Sequence, residues 1–259
     1  MVEFAQRTAT VNGVEIALLE AGEGPPLLIL HEELGHPGAL AWHAEMARTH
    51  RLVIPIYPGF KGPRVAWIRS VRDLAALYGF LLRQEELTGC DAIGFSFGGW
   101  VAAEMAVNDP RLFRTLTLVA PFGVKPREGF LMDMFPITSL DYHRASVRDP
   151  DGLAEFATLY GEPSPQQIED WEDARTECAR LGWQPYMHNL SLPDLLGGLN
   201  GLPALIVWGD QDQIVPRDAA RQYAERIPGA RLKVFPGVGH RPEVEAQGSF
   251  VAELQTFLN

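Results

Sequence analysis

Three short stretches carry residue types able to do covalent chemistry. The first is Asp91-Ala-Ile-Gly-Phe-Ser-Phe-Gly-Gly-Trp100, in which Ser96 sits between Gly94 and Gly98 in the pattern G-x-S-x-G. A serine hydroxyl is a weak nucleophile, so it needs an unshielded oxygen and a base within reach. The apolar run before it reads as a strand, while Trp100, Val101, Met105 and Ala106 recur at helical spacing up to Asn108-Asp-Pro110. A tight strand-to-helix turn exposes such a serine, and an amphipathic helix beginning at Gly98 would aim its free N–H groups at developing negative charge. Taken alone, the same residues also describe a plain turn in which Ser96 caps the helix.

The other two stretches lie near the end of the chain. Trp208-Gly-Asp-Gln-Asp-Gln-Ile-Val-Pro216 offers Asp210 and Asp212, and Pro236-Gly-Val-Gly-His240 offers a histidine. Each follows a strand-like run, and in open parallel sheets a site forms outside the carboxyl ends of the strands. Serine, aspartate and histidine, in that chain order, can make an acyl-transfer triad.

The elements that must position these residues read in order. Thr8 to Leu19 alternates around Asn12-Gly13, a two-residue hairpin signal. Pro25–His31 and Arg51–Tyr57 are expected as buried strands, with a helical segment from Ala39 to Ala47 between them. A long helix follows over Ser70–Glu86, with Val71, Leu74, Leu77, Tyr78, Leu81 and Leu82 on one face. The strand Thr115–Ala120 continues a rhythm of alternating strands and helices that implies a mostly parallel sheet. From Phe122 to Leu196 the rhythm stops, and Pro and Gly breaks mix with Phe, Trp, Tyr and Met. It resumes with Pro203–Trp208, a helix near Asp218–Arg226, the strand Arg231–Phe235 and a last helix near Glu245–Leu258. The expected organisation is a core of residues 1–121 and 197–259 with an inserted helical cap over 122–196.

Composition narrows the partners. With 259 residues and 46% hydrophobic content the chain can bury a large core. A formal net charge of -11 argues against nucleic acid or an anionic membrane as the main partner. Cys90 and Cys178 are too few for a disulfide framework, and no spacing resembles a metal site. No run approaches the roughly 20 apolar residues of a bilayer span. The expectation is a cytoplasmic protein, monomer or homodimer, that takes a small-molecule substrate and uses neither cofactor nor metal.

Four segments together resemble an α/β-hydrolase with a helical cap: Leu30-His-Glu-Glu-Leu-Gly35, Gly94-Phe-Ser-Phe-Gly98, Trp208 through Pro216, and Gly237-Val-Gly-His240. The resemblance covers nearly the whole chain and implies an eight-stranded, mostly parallel sheet flanked by helices. It implies that Ser96 attacks a carbonyl carbon, His240 carries the proton, and Asp212 orients the imidazole. Asp212 matches the family acid by standing four residues before Pro216, which leaves Asp210 to turn the loop. Of the two oxyanion donors it implies, one is the backbone N–H of Phe97. The second is the backbone N–H of Glu33, because His31, Glu32 and Glu33 stand where relatives carry His-Gly followed by the donating residue.

Glu32 in place of that glycine is the main departure from the family pattern. A glutamate takes space and brings a carboxylate near a developing anion. Both side chains are expected to turn to solvent or pair with an arginine; otherwise Glu32 or Glu33 positions water, serves as a second acid or base, or selects a cationic or hydroxylated substrate, with His31 a further candidate for substrate contact or acid–base work. Ile56 replaces an aspartate common in relatives. Apolar cap residues such as Phe130, Met134, Phe135, Tyr160, Trp171 and Trp183 are candidates for a substrate pocket, although most are expected to pack the cap on the core. Arg144, Arg175, Arg180, His143 and His188 are candidates to read a carboxylate or, singly, to act as surface charges.

The leading function is a serine esterase or lactonase working through an acyl-enzyme. The alternatives are carbon–carbon bond hydrolysis, a lyase or perhydrolase on the same triad, and a slow-turnover ligand receptor. Arg241 stands where carbon–carbon hydrolases commonly carry tryptophan after the base histidine, which counts against that alternative.

Overall fold

A computed structural model describes residues 2–259 and shows an eight-stranded sheet between two layers of helices. The strands are β1 (Ala5–Val11), β2 (Val14–Ala21), β3 (Pro26–Leu30), β4 (Arg51–Pro55), β5 (Cys90–Phe95), β6 (Phe113–Val119), β7 (Ala204–Gly209) and β8 (Arg231–Phe235). Their order is β1-β2-β4-β3-β5-β6-β7-β8. β1 pairs antiparallel with β2 and β2 with β4, and every later pairing is parallel. Asn12 and Gly13 both take positive φ, 49° and 78°, as a hairpin turn matched to strand twist requires.

The helices are α1 (Ala41–Met46), α2 (Val71–Gln84), α3 (Phe97–Asn108), α4 (Ser139–Ala145), α5 (Ala154–Tyr160), α6 (Pro165–Gly182), α7 (Leu192–Leu195), α8 (Arg217–Arg226), α9 (Pro242–Glu245) and α10 (Gln247–Leu258). Four of them, α4 to α7, lie in the long segment between β6 and β7. α2 starts at Ser70, whose hydroxyl accepts the Asp73 N–H at 3.2 Å, and buries the apolar stripe read from its sequence. One face of the sheet packs on α2, α3 and α8, and the other on α1 and α10, through Trp42, Met46, Phe250 and Leu254. Among the described residues no helix is long and apolar enough to cross a membrane.

One expectation about the elements fails. α3 is not amphipathic: Phe97 to Ala106 are all buried, because the helix packs against β5, β6 and α2. Its one carboxylate, Glu104, accepts from Trp100 Nε1 at 3.0 Å and Asn189 Nδ2 at 2.7 Å, so its burial is offset by hydrogen bonds.

Candidate active site

The six parallel strands end on one edge, and the loops that leave them carry the candidate residues. Ser96 follows β5 with φ 49° and ψ −111°, a conformation that costs a non-glycine residue about 1–3 kcal/mol. Neighbouring backbone holds it there: Ser96 N–H donates to Val119 O at 2.9 Å, and Ser96 O accepts Phe122 N–H at 3.2 Å. Glycine at 98 is obligatory, since a Cβ would lie 2.2 Å from Leu30 O and 2.5 Å from His31 O. Close contact between the elbow and the end of β3 therefore sets the site.

His240 Nε2 lies 2.8 Å from Ser96 Oγ, and His240 Nδ1 lies 2.8 Å from Asp212 Oδ2. With Nδ1 protonated toward the carboxylate, Nε2 is free to accept the serine proton. The second oxygen of Asp212 accepts the N–H groups of Ile214 at 2.8 Å and Val215 at 3.0 Å, which fixes its plane. Asp210 instead accepts the Gly237 N–H at 2.6 Å and ties the two loops together. The histidine loop is anchored by His240 N–H to Ser146 O, at 2.9 Å.

The loop after β3 departs from expectation. Glu33 neither reaches solvent nor meets an arginine; it is 2% exposed and turns toward the elbow. Its Oε2 accepts the Phe97 N–H at 3.4 Å, a long bond, and its Oε1 accepts the Tyr142 hydroxyl at 2.6 Å. The physical reason is the buried phenol of α4, which gives the carboxylate a short bond inside the protein. Tyr142 carried no chemical signal in the sequence and is the contact that sequence reasoning missed.

Glu32 does meet an arginine. Its Oε2 lies 3.3 Å from Arg241 Nε, and Arg241 also donates to Glu243 at 3.0 Å and to the Tyr160 hydroxyl. The Arg241 guanidinium stands 5.4 Å from the Tyr160 ring centre. Arg241 is therefore a buried counter-ion rather than an apolar substrate contact. His31 is structural: Nδ1 donates to Glu32 O at 2.9 Å, Nε2 accepts Tyr57 N–H at 3.3 Å, and burial holds its pKa down to about 3.

Burial pushes the His240 imidazolium down, but the charge and hydrogen bond of Asp212 outweigh it. Glu33 and Glu243 add to that effect, and the pKa rises to about 9. Burial lifts the Glu32 carboxyl to about 7, with Arg241 opposing and Glu33 and Glu243 reinforcing. The surroundings of His240 are thus rich in carboxylates.

The other candidates disperse. Met134, Tyr160 and Trp171 are buried, whereas Phe130 is 92% exposed and Trp183 is 53% exposed. Tyr160 and Trp171 line a cleft of about 590 Å³ together with Leu34, Tyr57 and Lys61. Arg144 pairs with Asp151, Arg175 binds the carbonyls of Met134 and Ile137, and Arg180 binds Glu177. His143 is buried and His188 binds Tyr186 O at 2.8 Å.

Comparisons with known proteins agree with this geometry at the level of the fold. The family model described as "Alpha/beta hydrolase family" matches residues 27–254. The chain is 27% identical to 2-hydroxymuconate semialdehyde hydrolase of Pseudomonas sp. strain CF600, over 97% of this chain and 93% of that protein. It is 28% identical to pimeloyl acyl-carrier-protein methyl ester esterase of Nitrosomonas europaea, over 89% of this chain and 94% of that protein. Among solved structures, an esterase from Rhodococcus sp. ECU1013 superposes with a TM-score of 0.80 at 21% identity, covering 98% of each chain.

Proposed function

The chain belongs to the alpha/beta hydrolase family, and from that premise we propose that it cleaves a small, uncharged, partly apolar carboxylic ester or lactone through a covalent acyl-enzyme. The observation that carries the reading is the unbroken relay of Ser96 Oγ, His240 Nε2 and Asp212 Oδ2, linked by two contacts of 2.8 Å. In the scheme His240 takes the Ser96 proton as Oγ bonds to the carbonyl carbon, and Phe97 N–H faces the oxyanion. The imidazolium then gives its proton to the departing alkoxide. Water repeats the sequence: His240 takes one proton, hydroxide attacks the acyl carbon, and the carboxylic acid leaves as Ser96 is reprotonated. Side chains, backbone and water suffice for every step.

The carboxylates of Glu32, Glu33 and Glu243 around His240 support an uncharged substrate over an anionic one. A second reading, hydrolysis of a carbon–carbon bond next to a ketone by the same triad, is favoured by likeness to the muconate semialdehyde hydrolase. Against it, that relative's substrate is a carboxylate by name, and Arg241, the charged residue beside His240, is already paired with Glu32 and Glu243.

The test is the initial rate on aryl esters of increasing acyl length, lactones and a vinylogous diketone, with Ser96→Ala as control. Ester or lactone turnover that disappears in the variant is expected. Cleavage of the diketone alone would move the assignment to carbon–carbon hydrolysis.

A further inference from the structure

We propose that Glu33 is a built-in occupant of the oxyanion position, so that a substrate engages Ser96 only by displacing the enzyme's own carboxylate. The proposal rests on the serine-hydrolase reading and adds what the substrate must compete with.

The N–H that follows the nucleophile is the group toward which an acyl-transfer oxyanion develops. That N–H, of Phe97, is directed at Glu33 Oε2. A side-chain carboxyl oxygen already stands on the N–H that the oxyanion would use. The opposite charge is also in place: His240 bonds to both Ser96 and Asp212, with Glu33 and Glu243 adding negative potential around it. An imidazolium on one side of Ser96 and a carboxylate oxygen at the Phe97 N–H reproduce the charges of the tetrahedral intermediate without a substrate.

The hold is asymmetric. The contact at the reacting position is long, 3.4 Å, while the one to Tyr142 is short, 2.6 Å. Rotation about the Glu33 side-chain bonds frees Phe97 at the expense of the short Tyr142 bond, which is the contact that holds the carboxylate in place. After displacement the carboxylate still lies beside the substrate. Acyl groups carrying a negative charge near the carbonyl are repelled, and neutral ones, above all those with a hydroxyl or N–H to offer the released carboxylate, are admitted.

A brace between the β3 loop and α4 would use the same contacts, as would an obligatory second base, and the three differ in what removal of the carboxylate does. The experiment measures labelling of Ser96 by a fluorophosphonate, in which Oγ displaces fluoride from phosphorus while a phosphoryl oxygen uses the Phe97 N–H. Rates are compared on the alkaline plateau, where His240 is neutral, for the wild type, Glu33→Gln and Glu33→Ala, with Ser96→Ala as the blank. Labelling is expected to be at least about tenfold faster in Glu33→Ala, with Glu33→Gln in between because its amide oxygen still accepts but carries no charge. Glu33→Gln keeps the shape of the loop, so the comparison stands even where the alanine variant folds poorly. Equal or slower Ser96-dependent labelling in the Gln variant overturns the proposal alone. Labelling that is independent of Ser96 in every protein overturns it together with the serine-hydrolase reading.

Discussion

The hydroxyl of Tyr142 on α4 donates to Glu33 across 109 residues of sequence, and both side chains are buried at 2% exposure. Burial, reinforced by the Glu33 charge, drives the phenol well above its ordinary pKa, so Tyr142 keeps its proton and donates at neutral pH. The segment between β6 and β7 thereby holds the residue that faces the Phe97 N–H. Occupancy of the oxyanion position and the placement of α4 become linked quantities.

Removing that hydroxyl tests the linkage. Tyr142→Phe keeps the ring and deletes one hydrogen bond to a carboxylate, worth about 1.5–3 kcal/mol net, so Ser96 labelling should quicken at least about tenfold. In a Glu33→Ala background the same change should do nothing, since the bond no longer exists. Equal effects in the two backgrounds would show that Tyr142 acts on the site by another route.

The pH profile follows from the charges around His240. Below its pKa of about 9 the imidazole is protonated and cannot accept the Ser96 proton. kcat/KM should therefore rise through neutral pH with a midpoint near pH 9 and level off about one unit above it. The groups that set this are burial, which lowers the pKa, and Asp212, Glu33 and Glu243, which raise it. Glu33→Gln deletes one of the three charges and should move the limb to lower pH. A midpoint that stays fixed in this variant would contradict the assignment.

Asp210 and Asp212 share a loop but not a role. Asp212→Asn presents an amide to His240 Nδ1 and stabilises the tautomer that cannot accept from Ser96; a loss of kcat on the order of 10⁴ is expected. Asp210→Asn removes a carboxylate that binds Gly237 N–H, so it should lower Tm while kcat stays within a few-fold. Comparable kcat losses in the two variants would mean that the acid is misassigned.

The parts of this site that were legible in sequence are those tied to strand ends. A short apolar run, a glycine-rich turn and a polar residue fix where Ser96, Asp212 and His240 stand, because parallel strands deliver their loops to one edge. The hairpin at Asn12-Gly13 and the strand Arg231–Phe235 follow from equally local rules. Glu33 was legible as the residue at the donor position, but the direction of its side chain was not, since that depends on a phenol from a distant segment broken by Pro and Gly. Glu32 met the expected kind of partner in Arg241. α3 misled because the residues between its apolar positions, Gly98, Gly99, Ala102 and Ala103, are small and allow close packing on every side. Phe130 and Met134 differ completely in exposure, and their local sequence gives no reason for it.

The buried Glu32–Arg241 pair bears on stability. Arg241 stands between two carboxylates, 3.3 Å from Glu32 and 3.0 Å from Glu243, with all three buried. Removing it in Arg241→Ala leaves both charges uncompensated, at a cost of about 3–5 kcal/mol. For a chain of this size that is a fall in Tm of roughly 10 °C. The sign of the pH effect follows from Glu32, whose folded pKa of about 7 lies above the ordinary 4.5, through burial that Arg241 only partly offsets. Between those values the folded state binds more protons than the unfolded one. The contribution is full below pH 4.5 and is lost as pH rises through 7, with a slope of at most about 1.4 kcal/mol per pH unit. Glu32→Gln removes this titrating carboxyl, so its Tm should fall less than the wild type's between pH 5 and pH 8. Arg241→Ala should fall more steeply than either, because the guanidinium that favours ionised Glu32 is gone. Calorimetric Tm values for the three proteins across that range decide the matter: parallel wild-type and Glu32→Gln curves would place the proton elsewhere.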